Sequence, residues 1–69
     1  MFTIKSESKE GTYYLVRRQK KHKKIWVKRE FLTEEMLFPT SAGAKKCLTR
    51  LLKVMPEYAS DTFTLVEIN

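Results

Sequence analysis

Apolar side chains recur at helical spacing in the second half of the chain. They stand at i, i+3, i+4, i+7, i+8 and i+11, a spacing that predicts an amphipathic helix: Ala44, Cys47, Leu48, Leu51, Leu52 and Met55. Thr40 or Ser41 can cap its start, and Pro56 can end it. The opposite face of this helix is polar and largely basic: Lys45, Lys46, Thr49, Arg50 and Lys53.

Four other stretches have the composition of β-strands. They cover residues 2–5, 13–18, 24–29 and 62–68, separated by a polar turn at 6–11 and a basic turn at 19–23. Together with the helix they give the order β-β-β-α-β. The pattern predicts a single small α+β domain over residues 1–69, an antiparallel sheet with one amphipathic helix packed on one face.

Alternation within the third strand predicts which of its side chains face the helix. Ile25 and Val27 fall on one side of an extended chain, and Trp26 falls on the other between Lys24 and Lys28. We therefore expect the helix to pack on Ile25 and Val27, with the rest of the core supplied by Phe2, Ile4 and either Phe63 or Val66. Trp26 is then expected on the open face, unless residues 30–38 fold back and cover it.

Within the segment 30–38, Thr33 to Glu35 can start a helical turn, and residues 36–38 can pack under the sheet or add a short strand.

Positive charge is concentrated in the predicted hairpin. Eight of the fourteen basic residues lie between Arg17 and Arg29, a stretch without any acid, and the whole chain carries a net charge of +6. Such clustering favours an anionic partner, either nucleic acid (DNA or RNA) or an acidic surface of a host protein. A solvated loop and an open sheet edge that pairs with another chain are the alternatives. The candidate binding residues are Arg17, Arg18, Lys20, Lys21, Lys23, Lys24, Trp26, Lys28 and Arg29.

Residues with catalytic or metal-binding chemistry are few. The single histidine, His22, lies among lysines, and the single cysteine, Cys47, lies on the apolar stripe of the helix. They make neither a nucleophile–base set nor a zinc site, so the sequence predicts no enzyme, no cofactor and no metal. One cysteine suits a reducing compartment, and no apolar run is long enough to span a membrane, which together favour the cytoplasm.

One series of residues resembles a known group of proteins. The series is Tyr14-Leu15, Lys24-Ile25-Trp26, Met36-Leu37-Phe38-Pro39-Thr40, Ala44 and Leu48. It is similar to small accessory proteins of bacteriophages and related mobile elements over roughly residues 12–55. The resemblance implies the β-β-β-α-β fold and a viral origin, with action in the host cytoplasm. Because such proteins bind nucleic acid or inhibit host proteins, it assigns no functional residue.

Two functions follow from these observations. The first is a non-enzymatic basic protein that engages nucleic acid through the Lys/Arg-rich hairpin. The alternative is an interaction protein that docks on an acidic surface of a host protein or complex and modulates or inhibits it.

Overall fold

The computed structural model describes residues 1–17 and 24–68. Four antiparallel strands form one sheet in the order β3-β2-β1-β4, and one α-helix joins the two edge strands. The elements are β1 (Phe2–Ser8), β2 (Gly11–Leu15), β3 (Trp26–Val27), α1 (Ser41–Val54) and β4 (Thr62–Glu67). The predicted α+β class and order of elements are confirmed. Within the described residues, no helix combines the length and the apolar character that crossing a membrane requires.

Strand β1 is longer than its sequence suggests. Residues 6–8, predicted to belong to a turn, continue the strand, and the turn contains only Lys9 and Glu10. The reason is its central place in the sheet: β1 pairs with β2 on one side and with β4 on the other. These backbone hydrogen bonds hold polar residues in an extended conformation. Gly11 ends the turn with φ at 131°, a value that favours glycine.

The segment between β3 and α1 runs alongside β1. It forms two 3₁₀ turns, Arg29–Phe31 and Glu34–Met36, as expected for the residues after Thr33. Phe38 then pairs with Phe2 through two reciprocal backbone hydrogen bonds of 2.8 and 2.7 Å. The Phe38 side chain is buried in the core. Phe38 thus adds a single bridge to strand β1 of the sheet and packs in the core, and residues 36–38 form no strand of their own.

Helix α1 begins and ends near the predicted signals. The Thr40 hydroxyl accepts a hydrogen bond from the Gly43 N–H at 3.0 Å, which satisfies one of the unpaired donors of the first turn. The helix ends at Val54, and Pro56 starts a 3₁₀ turn, Pro56–Ser60, that leads into β4. Ala44 is fully buried where the helix meets the sheet.

The sheet presents Trp26, not Val27, to the helix. Leu15 lies directly opposite Trp26, and Leu15 belongs to the same core cluster as Ala44, so Trp26 shares the helix-facing side. Val27 pairs with Tyr14 and points to the other side. The expectation of an Ile25–Val27 core pair is therefore wrong for Val27. Alternation fails because β3 has only two residues and Ile25 lies outside it, so that Ile25 and Trp26 both pack against the core.

The rest of the helix-facing core follows the predicted composition in part, since Leu52 and Met55 of the predicted helical stripe are half-buried but lie outside the core cluster. Ile4, Leu15, Phe38 and Ala44 form its centre, and partly buried apolar side chains surround them: Phe2, Ile25, Trp26, Cys47, Leu48, Leu51, Phe63 and Leu65. Of the two candidates in β4, Phe63 packs here, whereas Val66 pairs with Thr3 on the other side.

Candidate nucleic-acid interface

The predicted binding residues divide into two groups. Arg18, Lys20, Lys21 and Lys23 lie outside the described residues, as does His22 in the same predicted turn. The other five are described: Arg17, Lys24, Trp26, Lys28 and Arg29. Their places in the fold show which of them contribute to a common surface.

A groove runs between helix α1 and the ends of β2 and β3. Its volume is about 520 Å³. One wall is a single face of the helix: Gly43, Lys46, Cys47, Arg50, Leu51, Val54 and Met55. The other wall comes from the strands and the residues that adjoin the basic turn: Leu15, Val16, Lys24 and Ile25. At 1.5 Å per residue, the helical wall is about 18 Å long.

Three cations line this groove. Lys24 stands on the strand side, and Lys46 and Arg50 stand one turn apart on the helix. None of the described lining residues is acidic, and none of the three cations forms an ion pair with another described residue. Three positive charges without counterions create a positive potential along the groove. The structure thereby joins one end of the basic segment to the basic face of the helix.

The floor of the groove is apolar. Leu15 and Val16 are buried there, Leu51 is half-buried, and Val54 leaves 75% of its side chain exposed. Burial raises the pKa of the Cys47 thiol, an effect that the nearby Arg50 guanidinium partly opposes. The thiol is therefore protonated at neutral pH and behaves as a small apolar group.

Arg17 lies at a different site from Lys24. It lines a shallow depression together with Met1, Thr33 and two carboxylates, Glu34 and Glu35. Its backbone N–H donates to the Met36 carbonyl at 2.8 Å, which fixes its place beside this acidic segment. A cation beside carboxylates attracts a polyanion less strongly than an isolated one, so Arg17 contributes less than its position in the sequence suggests.

Lys28 and Arg29 follow the opposite end of β3 from Lys24. Both side chains are exposed, and neither lines the groove. The Lys28 carbonyl accepts a hydrogen bond from the Phe31 N–H at 3.0 Å in the first 3₁₀ turn. These two cations are free to contact a ligand that extends beyond the groove.

Trp26 packs inside the fold. Its ring lies 5.8 Å from that of Tyr58 in an edge-to-face arrangement and 6.1 Å from that of Phe63 in a stacked one. The indole N–H is buried and has no hydrogen-bond partner among the described residues. The expectation that Trp26 lies on the open face is therefore wrong, because the two-residue strand directs it toward the helix.

Sequence reasoning did not include Lys46 and Arg50 in the site. Their place on the basic face of the helix leaves two interpretations open, a solvated face or an extension of the positive surface. The available signal was their position: each directly precedes a member of the apolar stripe, Cys47 or Leu51, and so borders the buried face. Only the crossing of helix and sheet shows that this border faces Lys24.

Comparison with known proteins adds no relative. No family model, no curated protein and no solved structure matches this chain. The resemblance to phage accessory proteins therefore stays a prediction.

Proposed function

We propose that this chain is a non-enzymatic protein that binds nucleic acid through its phosphate backbone. The proposed contact surface consists of the basic segment from Arg17 to Arg29 and the groove-lining cations of helix α1. One observation carries the proposal: Lys24, Lys46 and Arg50 line one groove that has no acidic lining residue among those described. Lys24 thus links the basic segment to the two cations of the helix.

The expected mode of recognition is electrostatic and largely independent of sequence. Each phosphate that a lysine or arginine neutralises releases condensed counterions, and this release drives association. Arg50 can donate two parallel hydrogen bonds to one phosphate, whereas Lys24 and Lys46 act as point charges. Arg18, Lys20, Lys21 and Lys23 are proposed to continue the same row of contacts. The net charge of +6 favours rapid encounter with a polyanion.

We further propose that the protein is encoded by a phage or a related mobile element and acts in the host cytoplasm. The motif series from Tyr14 to Leu48 supports the viral origin. The free thiol of Cys47 supports a reducing compartment, because thiols stay unpaired in such compartments.

The proposal is tested by titrating labelled single-stranded and duplex oligonucleotides at several salt concentrations. The parent protein is expected to bind at low salt, with log K falling by about 0.9 per neutralised phosphate for each unit of log salt on duplex DNA. The double variant Lys46→Gln/Arg50→Gln should flatten this slope by about one to two phosphate contacts. The variant Lys45→Gln/Lys53→Gln is the matched control, since it removes two charges from exposed positions of the same helix outside the groove.

The two variants separate local contacts from net charge. If both flatten the slope equally, the groove cations are not contacts and only the total charge matters. If the parent protein fails to bind either oligonucleotide at low salt, nucleic acid is not the partner. The quadruple variant Lys20→Gln/Lys21→Gln/Lys23→Gln/Lys24→Gln tests the basic turn in the same way, and an unchanged slope would remove it from the interface.

A further inference from the structure

A phosphate backbone accounts for the cations of the groove but not for its floor. Leu51, Val54 and Ile25 have apolar side chains, which form neither hydrogen bonds nor ion pairs with phosphates. Val54 is the most exposed large apolar side chain among the described residues, and it lies in the last turn of the helical wall. Beside it, Ile25, Cys47 and Leu51 are half-buried, so part of the apolar lining of the groove is available for contact with a partner.

The lining of the groove restricts the chemistry of that partner. Apart from backbone groups and the Cys47 thiol, the polar functions among the described lining residues are the three cations Lys24, Lys46 and Arg50. No described residue contributes a hydroxyl, amide or carboxylate side chain to the lining. Small-molecule sites usually add a few precisely placed polar groups that fix the ligand. This groove offers instead a strip of apolar side chains, Cys47 to Met55, of about 12 Å along a helical wall of about 18 Å, with positive charge beside it. Such a strip suits an elongated ligand with an apolar face and negative charges beside it.

We propose that the groove binds an acidic amphipathic helix of a partner protein. Apolar side chains of the partner at i, i+3 or i+4, and i+7 would pack between α1 and the strand ends, the usual mode of helix-in-groove recognition. Carboxylates along the flanks of that helix would face Lys24, Lys46 and Arg50. About twelve helical residues match the length of the wall. A second copy of this chain fits less well, because its net charge of +6 opposes association.

This binding mode goes beyond the proposed nucleic-acid function and links to it. Both ligands would use the same three cations, so they exclude each other at the groove. A partner helix bound there would neutralise the three cations and weaken nucleic-acid binding, by a factor that grows with the helix concentration relative to its Kd. The apolar floor distinguishes the two, since only the partner helix contacts it.

The test uses a synthetic helical peptide with leucines on one face and glutamates beside them, fluorescently labelled and titrated without nucleic acid. Two control peptides carry lysine in place of glutamate, or serine in place of leucine. We expect the first peptide to bind, and each control peptide to bind at least about tenfold more weakly. Equal binding by the serine peptide would show attraction by charge only and would overturn the proposal.

Protein variants then locate the contact. Val54→Gln should weaken peptide binding by about tenfold, whereas Phe31→Gln should leave it unchanged. Phe31 is a matched control because it is also apolar, 62% exposed and absent from the groove lining. Thermal melts of both variants establish that the fold is intact. Unaltered peptide affinity in Val54→Gln would overturn the proposal, and so would self-association of the parent that Val54→Gln abolishes, since the occupant would then be a second copy.

Measurements with both ligands distinguish the helix site from the nucleic-acid site. Val54→Gln should leave oligonucleotide affinity unchanged, while Lys46→Gln/Arg50→Gln should weaken both ligands. Peptide binding without oligonucleotide binding would overturn the nucleic-acid function alone. Oligonucleotide binding with no response to the acidic peptide would overturn the helix site alone.

Discussion

Two aromatic side chains from opposite edges of the sheet meet over its centre. Trp26 belongs to edge strand β3 and Phe63 to edge strand β4, yet their rings stack with centroids 6.1 Å apart. Ser6 of the central strand β1 lies directly across from Phe63 and is buried, with 4% of its surface exposed. Its small side chain leaves room for the large rings above it. Tyr58 completes the cluster edge-on and links the 3₁₀ turn after α1 to the sheet.

Trp26 is therefore expected to contribute to stability. Trp26→Ala should lower the free energy of unfolding by about 3 kcal/mol, through lost burial and lost ring contacts. Trp26→Phe should stay within about 1 kcal/mol of the parent, because it keeps an aromatic ring and removes an indole N–H that has no partner. Urea unfolding followed by circular dichroism measures both. In the parent, the indole should also be shielded from acrylamide.

A small effect of Trp26→Ala would mean that Trp26 contributes little to the core. If Trp26→Ala unfolds at the same urea concentration as the parent, the aromatic cluster does not hold the two edge strands together. Free access of acrylamide to the indole would agree with that outcome and would return Trp26 to the surface.

The elements differ in how far the sequence could predict them. Helix α1 was predictable because six apolar positions repeat with one period over twelve residues, so a single exception could not shift the face. Strand β3 was not, because two residues are too few for alternation to define a side. The pairing of Phe38 with Phe2 joins positions 36 residues apart, and nothing local encodes it. The groove has the same origin, since Lys24 and Lys46 line one groove only because the helix crosses the sheet there.

The contact between helix and sheet depends on the absence of a side chain beyond Cβ at Ala44. Ala44 is fully buried, whereas Ala42 in the same first turn of α1 is exposed. Ala44→Leu should destabilise the protein by about 1–3 kcal/mol, since added methylenes must displace packed neighbours. Ala42→Leu should change stability by no more than about 0.5 kcal/mol.

Thermal unfolding of the two leucine variants gives the comparison directly. For a domain of this size, 1 kcal/mol corresponds to about 4–8 °C in Tm. Both substitutions add the same side chain to the same helical turn, so helix propensity cancels. Equal melting temperatures would mean that α1 does not press on the sheet at Ala44.

At the scale of the whole molecule, the charge that favours a ligand opposes folding. The chain carries fourteen basic and eight acidic residues, and the one ion pair between described residues joins Lys5 to Glu7 at 3.3 Å. A protein of this size buries a limited share of its surface, so its stability is small. Repulsion among clustered cations opposes that stability. On the proposed function, a bound polyanion would reduce this repulsion.

Salt should therefore affect folding and binding in opposite directions. Between about 0.01 M and 0.1 M ionic strength the screening length falls from about 30 to about 10 Å, so repulsion between the basic segment and α1 weakens and Tm should rise. Over the same range, affinity for nucleic acid should fall. At low salt, a saturating oligonucleotide should raise Tm by an amount that grows with its concentration relative to Kd.

The matched charge variants show whether that repulsion is centred on the groove. Lys46→Gln/Arg50→Gln and Lys45→Gln/Lys53→Gln each lower the net charge by two, from the same starting value of +6. Since Lys46 and Arg50 stand near Lys24 around the groove, their removal should raise the low-salt Tm more and leave a shallower dependence of Tm on salt. If the two variants melt alike at low salt, the repulsion is spread over the whole surface. If the Tm of the parent falls as salt rises, attraction between opposite charges outweighs the repulsion among the cations. A polyanion would then not be expected to stabilise the fold by relieving that repulsion.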